Sequence, residues 1–395
     1  MRILHTVEFY HPSVGGAQEV VRRVSEGLVQ RGHEVTVATT QILQRRQNYI
    51  NGVRVVQFPI SGNIVRGLVG PIKDYQDFLL TGNYDIMMNY AAQQWATDLV
   101  FPVLSQLRYR KILSPCGFSG LHSAQYVRYF ERMPEILRSY DHIIFHSNTY
   151  QDVRFSRDNE IVKYSMIPNG ASESEFEAHN IIFRDKYSIP KGSPLLLTVG
   201  SHTGLKGHRL VIGAFRRAGL SKPTLVIIGN TPDGASGCLK NCKRHSRLVT
   251  TLSLGSKRIL LLNPPRAEVV AAYQAADLFV FGSSIECSPL VLFEAMASRT
   301  PFVTVACGNA EEIAQWGQGG LIIPTIQGRS GFVTADPTVM GKAITRLMLN
   351  KHERHQMAEA GYNAWRQRFT WGHIIDQYEN LYQNVVAGRS GSSVV

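Results

Sequence analysis

The sequence has no run of 18 or more uncharged apolar residues, which excludes a membrane-spanning helix as an expectation. Its five cysteines, at 116, 238, 242, 287 and 307, are odd in number and scattered, so a disulfide framework is not expected. It has no short-period repeat, which sets aside solenoid architectures. The first residues, Met1-Arg2-Ile3-Leu4-His5-Thr6-Val7, run into Glu8 without a small-residue cleavage site. They read as an opening strand rather than a signal peptide, and a reduced, cytoplasmic chain is the expectation.

The 395 residues, 44% hydrophobic and 18% charged, have ordinary globular composition with length for two or three domains. The formal charge of +12 is concentrated in one block. Residues 181–270 hold 15 Lys/Arg against 3 Asp/Glu, while the segments on either side are close to neutral. Such a block suits a polyanion (nucleic acid, an anionic membrane face, or the phosphates of a small ligand) or a solvated surface with no partner.

Two series of alternating strands and helices are legible. In the first, strand 2–9 is followed by Gly15-Gly16 and a helix with Val20, Val21, Val24 and Leu28 on one face. Apolar runs at 34–40, 53–60, 84–90, 111–114 and 142–146 continue it. Residues 177–194, with Pro190, Gly192 and Pro194, read as a linker. The second series has strands at 195–199, 224–228, 259–262, 278–281 and 302–305, with helices at 208–217, 267–275 and 289–297. Helical segments at 336–349, 351–368 and 371–387 close the chain. Alternation of this kind builds two parallel sheets covered on both faces, which hold ligands at the carboxyl ends of their strands.

The densest chemical signal is Ser284-Ile285-Glu286-Cys287-Ser288-Pro289-Leu290 continuing to Glu294. Ser288 is suited to cap a helix and Pro289 to begin it. The open amides of that first turn form an anion site. Glu294 lies about 7.5 Å along the axis from Pro289 and tilts back toward it. A diphosphate there would have a carboxylate on each side, each able to accept hydroxyl hydrogen bonds from a sugar and a ribose.

Glu286-x7-Glu294 on a strand–turn–helix resembles the signature of the family 4 retaining glycosyltransferases, which have the GT-B fold. Four further segments match in order: Arg31-Gly32-His33-Glu34-Val35, Ile167-Pro168-Asn169-Gly170, Leu205-Lys206-Gly207, and Trp371 with Tyr382 in the last helix. The Gly15-Gly16 loop is similar to the family's N-terminal glycine loop. The resemblance implies two Rossmann-like α/β domains facing a cleft, an acceptor domain over 1–186 and a nucleotide-sugar donor domain over 187–370. It also implies that the last helix, 371–390, returns to the first domain. Glu286 would contact the donor sugar and Glu294 the ribose. Amides at Gly15, Gly16, Cys287, Ser288, Pro289 and Leu290 would surround the diphosphate, although Pro289 itself carries no N–H. Lys206 would neutralise the departing phosphate without any metal. The resemblance implies no cofactor beyond the nucleotide-diphosphate sugar as donor, and a carbohydrate, lipid-linked or small-molecule acceptor. Nucleic acid is not an expected partner, and peripheral contact with an anionic membrane face stays open.

The chain departs from the family pattern in two places. Gly200-Ser201-His202 stands where Gly-Arg is common, so the usual second phosphate cation is absent or is supplied by His202 or Arg209, with Ser201 a further donor-side residue on that loop. Ser114-Pro115-Cys116-Gly117 stands where Pro-His-Gly is common. A thiol is a weak donor, so Cys116 cannot replace an imidazole, and His122 is the alternative acceptor-side residue. Cys238-x3-Cys242-x2-His245 invites a metal reading but shows no fourth ligand, and Lys240, Lys243 and Arg244 oppose a cation. The stripe Tyr126, Tyr129, Phe130, Met133, Ile136 and Leu137 fits a domain core or a bilayer surface. The glycine spacing at 15–16 does not fit a dinucleotide dehydrogenase. The competing functions are a GT-B nucleotide-sugar epimerase, a phosphorylase, which lacks a recognisable cofactor lysine motif here, and a non-catalytic polyanion-binding protein.

Overall fold

The computed structural model describes residues 1–177, 182–232 and 236–389. They form two compact units, one of Met1–Asn169 with the segment from Trp371 onward, the other of Gly170–Thr370. The chain therefore enters the second unit at Gly170, where the sequence suggested 187. The cause is apolar: Phe176, Phe183 and Ile189 are buried in the same cluster as Leu195, Tyr273 and Phe293. Arg184 adds a 2.9 Å pair to Asp277. The described part of the expected linker is accordingly folded, with a short helix at Phe183–Lys186.

The first unit holds an eight-stranded sheet in the order 164–166, 142–145, 110–114, 86–90, 2–6, 34–40, 53–58, 49–50. All neighbours are parallel except the hairpin of Tyr49–Ile50 on Val53–Phe58. The strands at 86–90 and 142–145 are buried along their whole length, as runs covered on both faces must be. Helix Gly16–Gln30 buries Val20, Val21, Val24 and Leu28, as its period suggests. Helix Val127–Arg138 buries Tyr129, Phe130, Met133 and Leu137 in the same core as Trp95 and Phe118, so the aromatic stripe is interior packing.

The last helix, Trp371–Val386, packs on helix Gly16–Gln30 within the first unit. Gly27 makes the approach possible, because a Cβ there would stand 2.2 Å from Ile375 Cδ1. Polar contacts fix the register. Arg31 pairs with Asp376 at 2.6 Å and with Glu379 at 2.9 Å, and His33 reaches Glu379 at 2.7 Å. Inside, the buried His5 ring lies 2.7 Å from Ser25 Oγ and 3.0 Å from Tyr382 Oη. Among the described residues no helix is long and apolar enough to cross a membrane.

The second unit is a six-stranded parallel sheet in the order 258–262, 224–228, 195–199, 278–281, 302–305, 320–323. Chain order runs outward in opposite directions from the pair 195–199 and 278–281. The loops leaving these two strands therefore splay apart and open a crevice at their carboxyl ends, the usual ligand position in such sheets.

Candidate functional site

The two loops at that switch point are Gly200–Gly207 and Gly282–Pro289. They are pinned together by backbone and hydroxyl contacts. Leu205 O accepts from the Ser284 amide at 2.8 Å, from Ser284 Oγ at 3.0 Å and from Ser283 Oγ at 3.2 Å. Gly207 has φ of +67°, and a Cβ there would fall 1.7 Å from Gly282 O. Only glycine allows both the left-handed turn and this approach, which gives the Lys206-Gly207 pair a steric reason.

The pinned loops bring Lys206 Nζ to 2.6 Å from Glu286 Oε1. The backbone that follows Glu286 is held as well. Gly308, at φ of +61°, lets the loop after strand 302–305 pass so close that a Cβ would stand 2.4 Å from Cys287 O. The Asn309 amide donates to that same oxygen at 2.9 Å. A cation and a carboxylate thus face one another at the carboxyl ends of adjacent strands, each on a loop with little freedom.

Helix Leu290–Ala297 follows, with Pro289 in the cap position and no side chain capping its first turn. This corrects the expected assignment, in which Ser288 capped the helix and Pro289 began it. The open amides are those of Leu290 and Val291, because the Leu292 amide already donates to Pro289 O at 3.1 Å. Glu294, 8% exposed, lies about 6 Å along the axis. Its Oε1 accepts from Arg266 Nη2 at 2.6 Å. Arg266 in turn binds Glu175 at 2.8 Å and lies 5.8 Å from the centre of the Phe176 ring. The sequence reading missed Arg266. Its only local signal is position, directly after Pro264-Pro265 at the start of helix 266–275.

The remaining candidates divide. Ser201 is half-buried on the same loop as Lys206, and Arg209 is exposed. His202 is not an exposed loop histidine: it is 1% exposed, with its ring 4.6 Å from that of His208. Gly15 and Gly16 belong to the first unit, Gly15 in the cap position of helix 16–30 and Gly16 its first residue. A Cβ at Gly16 would meet open space, so nothing in the chain itself requires glycine there.

Cys116, also in the first unit, is half-buried at φ of +57°, with Sγ 4.0 Å from Tyr90 Oη. That hydroxyl lies 3.2 Å from His146 Nε2, and Ser114 Oγ lies 3.1 Å from the same nitrogen. An imidazole does stand behind this loop, but it comes from the end of strand 142–145, a place no local motif marks. Burial pushes His146 down to about 4, so it is neutral near pH 7. His122 is exposed.

With this geometry in place, comparison with known proteins is direct. The family model described as "Glycosyltransferase Family 4" matches residues 14–175, and that of "Glycosyl transferases group 1" matches 180–364. The D-inositol 3-phosphate glycosyltransferase of Corynebacterium urealyticum is 27% identical over 243 residues, 59% of this chain and 54% of the relative. The chain thus spans about half the length of the first curated relatives it matches. Sucrose-phosphate synthase from Thermosynechococcus elongatus superposes with a TM-score of 0.78 at 19% identity, covering 98% of this chain and all of the other. Anabaena HepE, solved in complex with UDP, superposes with a TM-score of 0.70 at 16% identity, covering 97% and 100%. These structural likenesses show the GT-B fold. On its paired family models, and with the Glu286-x7-Glu294 element standing at the switch point of its second sheet, the chain belongs to glycosyltransferase family 4.

Proposed function

We propose that the chain is a retaining glycosyltransferase that moves a sugar from a nucleotide diphosphate to a hydroxyl acceptor, with no metal at the diphosphate. The observation that carries this reading is the Lys206–Glu286 pair at 2.6 Å, placed where the sheet's strand order reverses. On donor binding the pair separates. Lys206 turns to the diphosphate, where a fixed cation stabilises the charge that builds as the sugar–phosphate bond breaks. Glu286 is left to accept hydrogen bonds from the sugar hydroxyls. Glu294, held by Arg266, accepts from the ribose hydroxyls, and the amides after Pro289 face the phosphates. The acceptor oxygen bonds to the anomeric carbon on the face the diphosphate leaves, and its proton passes to the departing phosphate. Retention then needs no protein nucleophile.

A uridine diphosphate donor is the first to test, because HepE is solved with UDP and with UDP-glucose. The inositol phosphate named for the corynebacterial relative supports a small polyol or sugar acceptor. Titration calorimetry with UDP, GDP and ADP should find one nucleotide that binds the wild-type chain. Glu294→Ala should weaken that nucleotide by at least ~10-fold, because a hydrogen bond to a charged group contributes about 1.5–3 kcal/mol and about 1.4 kcal/mol is tenfold in affinity. Lys206→Ala should lower transfer by roughly 100-fold or more, in the range for removal of one transition-state charge contact. Unchanged nucleotide affinity in Glu294→Ala refutes its assigned role. Conversion of donor with no acceptor present would identify an epimerase instead.

A further inference from the structure

His202, His208, Cys238 and Cys242 converge in the second unit, with one donor atom from each lying within 4.8 Å of all the others. We propose that they form a zinc site, Cys2His2 and structural in kind, which clamps the loop carrying Lys206 to helix Ser236–Leu252. Local sequence does not reveal it, because the ligands come from two segments 30 residues apart. Cys238 and Cys242 are four residues apart on one helix and therefore share a face. His202 and His208 bracket the loop Thr203–Gly207.

The geometry is that of tetrahedral zinc. Bond lengths of about 2.3 Å to sulphur and about 2.0–2.1 Å to nitrogen set donor atoms roughly 3.4–3.8 Å apart. Cys238 Sγ lies 3.8 Å from His202 Nδ1 and 3.9 Å from His208 Nδ1. These are too long for strong hydrogen bonds but close to the separation of two ligands on one ion. Both imidazoles are held out of solvent beside the two sulphurs, His202 at 1% and His208 at 3% exposure. Two thiolates and two neutral imidazoles around a divalent ion carry no net charge, which suits burial. The flanking Lys240, Lys243 and Arg244 are exposed, so their charges stand in solvent and not among the four ligands. His245, the ligand that local spacing suggested, bonds Asn241 O within its own helix at 2.8 Å. Thiolate and imidazole donors select zinc over magnesium or manganese, which keeps this site apart from diphosphate chemistry.

The ion would hold both ends of the Lys206 loop, so donor affinity should depend on it. That consequence rests on the donor-site reading above, whereas metal content does not. Untagged full-length protein, expressed with zinc and purified without chelator, should contain about one zinc per chain by plasma mass spectrometry. Cys238→Ser with Cys242→Ser should contain almost none, and His245→Ala should match the wild type. Replacement of the zinc by cobalt should give a thiolate charge-transfer band and the intense visible bands of tetrahedral coordination. If the double variant fails to fold, the wild-type cobalt spectrum decides. Zinc-free wild-type protein that gives no such spectrum on cobalt loading, or a folded double variant that retains zinc, overturns the site irrespective of whether any nucleotide binds.

Discussion

At the scale of single residues, the candidate site owes as much to glycine as to charge. Lys206 and Glu286 can pair because Gly207 lies against Gly282 O and Gly308 lies against Cys287 O, both in left-handed conformations. Gly207→Ala combines an unfavourable φ with a backbone clash that no side-chain rotation relieves. Its expected cost is about 2–4 kcal/mol. For a unit of this size that is a fall of roughly 5–15 °C in Tm by scanning calorimetry. Gly204 separates the two causes. Its φ is +88°, yet a Cβ there meets open space, so Gly204→Ala carries the strain alone and should cost only about 1 kcal/mol. Equal losses in the two variants would show that the close approach of the loops is not what makes Gly207 necessary.

At the scale of elements, the terminal helix is a core component of the first unit. Ile374, Tyr378 and Tyr382 are fully buried, and Ile375 fills the notch left by Gly27. Ile374→Ala should therefore cost about 2–5 kcal/mol in urea unfolding, as loss of a buried aliphatic side chain does. The exposed Gln383→Ala should stay within about 0.5 kcal/mol. A small effect at Ile374 would mean that the helix adds little to that core. The Lys240–Arg247 cluster, on helix 236–252, shows the opposite pattern. Its charges face solvent while Cys242 and Val249 face inward, so charge and packing are divided between two sides of one element.

For the molecule as a whole, pH should act through buried histidines of the first unit. Burial lowers His5 to about 3 and His146 to about 4, and burial with the nearby Lys163 lowers His142 to about 4. An unfolded chain protonates these rings near pH 6.5. Stability should then be at its plateau above about pH 6.5 and fall as acid is added, because the unfolded state binds protons the folded state refuses. Each ring contributes a slope of about 1.4 kcal/mol per pH unit across that window. Denaturant midpoints measured from pH 7 to pH 5 should fall steadily, and His5→Gln should reduce the slope by close to one proton whatever its effect at pH 7. A slope unaltered in His5→Gln would show that the ring titrates in the native state as it does in the unfolded chain.

Local sequence by itself determined the alternation of strands and helices, because strands buried on both faces must be continuous apolar runs. Strands 195–199, 224–228, 278–281 and 302–305 lie where those runs predicted. The helix start after strand 278–281 also marked Glu286 and Glu294 as candidates, whereas Lys206 was marked by the resemblance to family 4. Tertiary structure alone decided the rest. The partnership of Arg266 with Glu294, the imidazole of His146 behind Cys116, and the meeting of two histidines with two cysteines all join residues far apart in the chain. Contacts of that kind are fixed by how sheets stack their crossover helices, and no periodicity or short spacing encodes them.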